Sequence, residues 1–133
     1  MQQVQGVLAS SGATGVLDAV HQRLGYALLA VLAAGLLLAL LTVRDQRLLP
    51  TVRSYVWLAI AAVSLQGLLG ILLAVTGARP AEGLHFLYGP LVLVTLPLTL
   101  LFCRGAGQRR EAWTLTVGFL LAVLLAVRAL MTG

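Results

Sequence analysis

The run LGYALLAVLAAGLLLALLTV, residues 24–43, decides the fold, because no charge interrupts it. A helix of about 20 residues rises about 30 Å, the thickness of a bilayer's hydrocarbon core. Lipid offers the backbone no hydrogen-bond partner, so such a run must bond within itself as a helix. Three more apolar runs follow, separated by short polar stretches. The spans fall at about 17–43, 54–76, 84–103 and 112–131. No stretch sustains a period-two alternation, which excludes a strand reading. The chain therefore reads as an all-α membrane protein: one domain, residues 1–133, folded as an antiparallel four-helix transmembrane bundle.

Composition agrees. Of 133 residues, 60% are hydrophobic and 10% charged, with a mean hydropathy of +1.01. A soluble domain of this size cannot hide so much apolar surface; a bilayer can. The net charge of +5 comes from nine arginines without a lysine. In a soluble chain that balance would suggest nucleic acid. Here the arginines gather at span ends, where they act as topology signals and headgroup contacts, so membrane lipid is the expected partner and nucleic acid is not. Arg44, Arg47, Arg53, Arg104, Arg109 and Arg110 fall after spans one and three, and only Arg23, Arg79 and Arg128 at the other side. The positive-inside rule then puts both termini outside the cytoplasm of a multi-pass inner or plasma membrane protein. Tyr55, Trp57 and Trp113 would mark the cytoplasmic interface. The single cysteine, Cys103, reads as a small packing residue.

Working outward from the first run, residues 1–17 are uncharged and rich in small and polar residues. They lack the basic n-region of a signal peptide and predict a loose tail or a short helix on the membrane surface. Pro50 should break the helix between spans one and two. Gly67, Gly70 and Ala74 form a small-residue face on span two. Gly77 to Gly83 make a tight turn. Pro90 and Pro97 should bend span three.

The chemistry sits at the mouth of the first run, in Asp18-Ala-Val-His21-Gln-Arg23-Leu-Gly25. Its His-x-x-x-Gly pattern returns as His85-Phe-Leu-Tyr-Gly89, and these are the only two histidines. Spans one and three run in the same direction, so in an up-down bundle they are diagonal partners. His21 and His85 then share one depth near the outer face and can present an imidazole to each side of a haem iron. Gly25 and Gly89, one turn further in on the same faces, would clear bulk for the macrocycle. Glycine in a helix costs ~1 kcal/mol against alanine, so two at one offset call for a reason. Arg23 or Arg79 would meet the propionates. The plainer reading is two interfacial polar residues in helices where glycine is common. Asp18 lies on the His21 face, either as a helix N-terminal carboxylate or as a group that orients His21 or moves a proton. Gln66 reads as an interhelical hydrogen-bonding residue or a cofactor contact.

At these residues the chain resembles one half of the haem A synthase family. Those enzymes hold two similar four-helix halves, each with a histidine pair at the outer ends of its first and third helices. The family's Glu-x-x-His motif is matched by Asp18-Ala-Val-His21, with Asp for Glu and with Arg23 one position later than the family's arginine. Gln66-Gly-Leu-Leu-Gly70, running to Thr76-Gly77, is similar to its Gln-x-x-x-Gly segment, and His85 falls where the half's second histidine stands. The likeness covers roughly residues 15–100. This chain departs from the family in being a single half and in lacking the cysteine pair of many bacterial members. The resemblance implies haem b as cofactor and haem O and haem A as substrate and product; in such an enzyme Asp18, by its place beside His21, is the candidate catalytic carboxylate. A half-length enzyme would complete itself as a homodimer; an electron carrier would need a respiratory-chain redox partner. The competing expectation, from a different class, is a cofactor-free accessory subunit of a respiratory or transport complex. A transporter is disfavoured, since no charge lies mid-span.

Overall fold

The fold was obtained as a computed structural model that describes the backbone of residues 2–133 and side chains from residue 14 onward, Gly12 besides. Four helices follow one another: α1 (Gln2–Arg44), α2 (Leu49–Val75), α3 (His85–Cys103) and α4 (Gln108–Thr132), with a 3-10 turn at Gln46–Leu48. All four contain a segment long and apolar enough to cross a membrane, and the described residues include no strand. The chain is an all-α four-helix bundle with both termini at one end, because an even number of antiparallel helices returns the chain to its starting side.

One inward stripe per helix builds the core. In α1 it is His21, Gly25, Leu28, Leu32, Gly35, Ala39 and Thr42; in α2, Val52, Val56, Ala59, Val63, Gln66 and Gly70. In α3 it is His85, Gly89, Val92, Leu96, Thr99 and Cys103; in α4, Ala112, Leu115, Phe119, Ala122, Ala126 and Ala129. Each stripe alternates steps of three and four, the 3.5-residue spacing of a left-handed bundle. Lipid tails are as apolar as leucine, so the helices associate by close fit rather than by hydrophobic exclusion. Gly35 admits the Phe119 ring, and Gly118 admits Thr99; a methyl group at either glycine would overlap its neighbour. Buried threonines bond back along their own helix, as Thr42 does to the Leu38 carbonyl at 2.9 Å, which removes their need for other partners.

α1 packs on α2 and α4, and α3 packs closely on α4 but only thinly on α2. α1 and α3 are therefore diagonal, as are α2 and α4. At the arginine-rich end, Arg53 of α2 reaches Glu111 of α4 through two hydrogen bonds of 2.6 Å each. The Glu111 side chain is only 8% exposed, so this fork holds a carboxylate that would otherwise be buried alone.

Four local expectations change. The tail is not loose, since α1 is already helical from Gln2. Pro50 does not break a helix but sits in the first turn of α2, where its missing N–H costs nothing, so α2 starts at Leu49 rather than near 54. The turn before it is held by Asp45, whose carboxylate accepts from Arg47 N at 3.1 Å. α4 starts at Gln108, four residues ahead of the expected 112. Tyr55 does not stand in an interfacial belt: its hydroxyl turns into the bundle and donates to the Val31 carbonyl at 2.8 Å. Trp57 and Trp113 do face outward. α2 ends in a Schellman motif. Gly77, at φ 91°, donates to Ala74 O, and Ala78 donates to Leu73 O.

Candidate functional site

The end of the bundle opposite the arginine-rich loops carries the histidine pair. The rings of His21 and His85 have centroids 6.1 Å apart and planes inclined at 77°. Both are half-buried, each at the end of its helix stripe, and they meet across the α1/α3 diagonal.

The setting of His85 follows from the way α4 ends. The last four carbonyls of a helix lack intrahelical donors. Two of those of α4 are taken by the loop before α3 and by its first residue: Thr132 O accepts Glu82 N at 3.0 Å, and Ala129 O meets His85 Nδ1 at 2.9 Å. A carbonyl only accepts, so Nδ1 is the donor in this contact, and Nε2 is the nitrogen left for another partner. Metal-bound histidines are commonly held in this way, by a backbone carbonyl on the nitrogen away from the metal. His21 has no such support: its Nδ1 is buried without a hydrogen-bond partner.

Each ring lies against a glycine of the next helix in the chain. A Cβ at Gly70 would stand 3.2 Å from His21 Cε1, and one at Gly133 would stand 3.1 Å from both Cε1 and Nδ1 of His85. Gln66, one turn further in on α2, donates to the His21 carbonyl at 2.8 Å, while its Oε1 is buried and unpaired. Its interhelical hydrogen bond is thus present.

Of the remaining residues, Asp18 is exposed on the turn before His21, and Arg23 and Arg79 are exposed at the rim. The two glycines differ. Gly89 has open space where a Cβ would be, whereas at Gly25 a Cβ would meet Leu130 at 2.8 Å and the Gln66 amide at 3.3 Å. The bulk that Gly25 spares is therefore already taken up by α4 and α2. Sequence reasoning missed the contact of Arg128, whose guanidinium lies 5.4 Å from the centre of the Tyr88 ring. It also missed Gly70 as the floor under His21, although Gly70 lies on the Gln66 stripe at i+4.

Two metal–imidazole bonds of about 2 Å each, with the distance from each nitrogen to its ring centre, give a centroid separation of about 6 Å. The pair at 6.1 Å has that separation, which is also the separation of two rings in direct edge-to-face contact. Among the described residues no three or more His, Cys, Asp or Glu side chains gather as a cage for a bare ion. A haem iron, which brings four nitrogens of its own, asks the protein for only two axial donors. The donor set fits such a group. Room is scarcer: the groove beside Gln66, between α1 and α2, holds ≈ 110 Å³ against the ~300–1,000 Å³ of usual ligand sites. Of the four contacts between adjacent helices, that of α2 with α3 is the thinnest.

No family model matches this chain, and no curated protein or solved structure matches it either.

Proposed function

We propose that this chain is a haem b-binding membrane protein in which His21 and His85 are the axial ligands of one haem. The observation that carries the reading is the pair itself: the only two histidines of the chain meet at 6.1 Å across a bundle diagonal. The bound group would supply one-electron chemistry. The residues of the chain hold and tune it. His85 is fixed by the Ala129 carbonyl, and Gly70 and Gly133 keep space beside the rings. Arg128, with Arg23 and Arg79, supplies positive charge at the rim for the propionates. The arginine asymmetry supports a multi-pass protein of the inner or plasma membrane with this site near the outer face.

Within that reading, the resemblance to haem A synthase supports conversion of haem O to haem A, with Asp18 orienting His21 or accepting a proton. A single half has one histidine pair, so the reaction would call for a homodimer in which one copy carries a resident haem and the other handles substrate. Electron transfer to a respiratory-chain partner is the simpler role for a monomer. Haem extracted from cells co-expressing a haem O source separates the two: haem A or a hydroxylated intermediate supports the enzyme, and haem b alone supports the carrier. The haem reading itself is tested by the haem content of the purified protein, with about one haem per chain expected.

A second reading, a cofactor-free accessory subunit of a respiratory or transport complex, is favoured by one specific observation. Leu130 and Gln66 already close the space at Gly25, and the groove beside it is small. A colourless, fully folded preparation would support it.

A further inference from the structure

At the other end of the bundle, a groove of ≈ 600 Å³ runs along the outside of α1 and α4. Its walls are Leu37, Leu40, Leu41 and Val43 of α1 and Trp113 of α4, and Arg44, the last residue of α1, stands among them. The volume lies within the ~300–1,000 Å³ of ordinary ligand sites, unlike the groove near the histidines.

We propose that this groove is a binding site for an anionic phospholipid, with an acyl chain against the leucines and the phosphate on Arg44. Three features carry the assignment. The lining is apolar over two turns of α1 and changes to a cation at the level where α1 ends. Trp113, half-exposed, offers an amphipathic ring at that same level, where such rings sit among headgroups. The surrounding charge is positive. Arg47, Arg104, Arg109 and Arg110 share this end, Arg53 is matched by Glu111, and the one other acid here, Asp45, offsets only a single charge. Basic pockets between membrane helices are recurrent sites for anionic lipid headgroups. The site is independent of the histidine pair and of any haem.

Trp113 reports on the groove directly. The chain has two tryptophans, so Trp57→Phe leaves Trp113 as the sole tryptophan, excited selectively over the three tyrosines. This protein is reconstituted in phosphatidylcholine vesicles containing either phosphatidylglycerol or phosphatidylcholine brominated on its acyl chains. Brominated phosphatidylglycerol should occupy the groove about fivefold more readily, the ratio that corresponds to the ~1 kcal/mol one arginine contributes against anionic lipid. Arg44→Gln should abolish the preference and Arg109→Gln, outside the groove, should keep it. Leu40→Phe, which fills the groove, should lower quenching by phosphatidylglycerol to the phosphatidylcholine level. Equal quenching by the two lipids in the parent protein overturns the proposal. Loss of the preference in Arg109→Gln to the same extent as in Arg44→Gln also overturns it, showing a diffuse field of arginines instead of a site. Protection of Trp113 from both lipids in a cross-linkable dimer overturns it in favour of a second copy of the chain.

Discussion

His21 and His85 meet edge to face across the α1/α3 diagonal, their ring centroids 6.1 Å apart, and at the opposite end Arg53 and Glu111 close the α2/α4 diagonal. Each polar contact thus joins helices that otherwise barely touch. The two differ in chemical state. The arginine and the carboxylate satisfy each other through two hydrogen bonds, whereas the histidine pair leaves His21 Nδ1 and the neighbouring Gln66 Oε1 buried and unpaired. Buried polar atoms without partners are uncommon and costly. The Arg53–Glu111 pair is closed upon itself, whereas His21 Nδ1 and Gln66 Oε1 each keep capacity for one more partner.

Gly35 should be indispensable for packing. Gly35→Ala drives a methyl group into the Phe119 ring and should cost about 1–3 kcal/mol, the usual range for overpacking. Gly67→Ala meets nothing within 4 Å and should leave stability unchanged or slightly raised through better helix propensity. Reversible unfolding of both variants in mixed detergent micelles compares them; equal loss in the two would contradict the packing described here.

Arg53→Ala should destabilise the bundle by about 1.5–3 kcal/mol, because it strands the Glu111 carboxylate at 8% exposure. Arg53 is itself half-exposed, so the effect stays below the ~3–5 kcal/mol of a fully buried pair. Adding Glu111→Gln to Arg53→Ala should recover part of the loss. A double-mutant cycle without coupling would show that the pair contributes nothing.

Gly70→Leu should displace the His21 ring while leaving the helix intact, since even a Cβ there stands 3.2 Å from Cε1. Haem retained on purification should fall severalfold relative to Gly67→Leu, at a position one turn nearer the middle of α2 with open space. Equal retention in both would mean that His21 does not need its present place.

Much of this was legible in the sequence, and the rest was hidden for physical reasons. The four spans follow from uninterrupted apolar length, and the placing of His21 and His85 on one diagonal follows from span count and direction. Pro50 misleads because the same ring that breaks a helix interior is welcome in a first turn. Tyr55 misleads because an amphipathic ring near a span end can turn inward as well as outward. The Ala129 carbonyl has no side-chain signature at all, so the support of His85 is visible only once α4 is laid against α3. The Arg53–Glu111 fork joins residues 58 apart on helices that are not neighbours, and no local spacing announces it.

Both termini should be accessible from outside intact cells, on the ground that six of nine arginines lie at the opposite end. Thiol labelling of a cysteine appended to each terminus, in a Cys103→Ser background, reads this directly. Protection of both termini would invert the bundle and place the histidines on the cytoplasmic side.

The most direct test of the central claim is the visible absorption spectrum of the purified protein, reduced and oxidised, beside those of His21→Ala and His85→Ala. The wild type should show a Soret band with sharp reduced α and β bands of a six-coordinate, low-spin haem, and each single variant should lose that spectrum or the haem itself. A wild-type low-spin spectrum that persists in both variants, or a folded wild-type protein that stays colourless when supplied with haem, would contradict it.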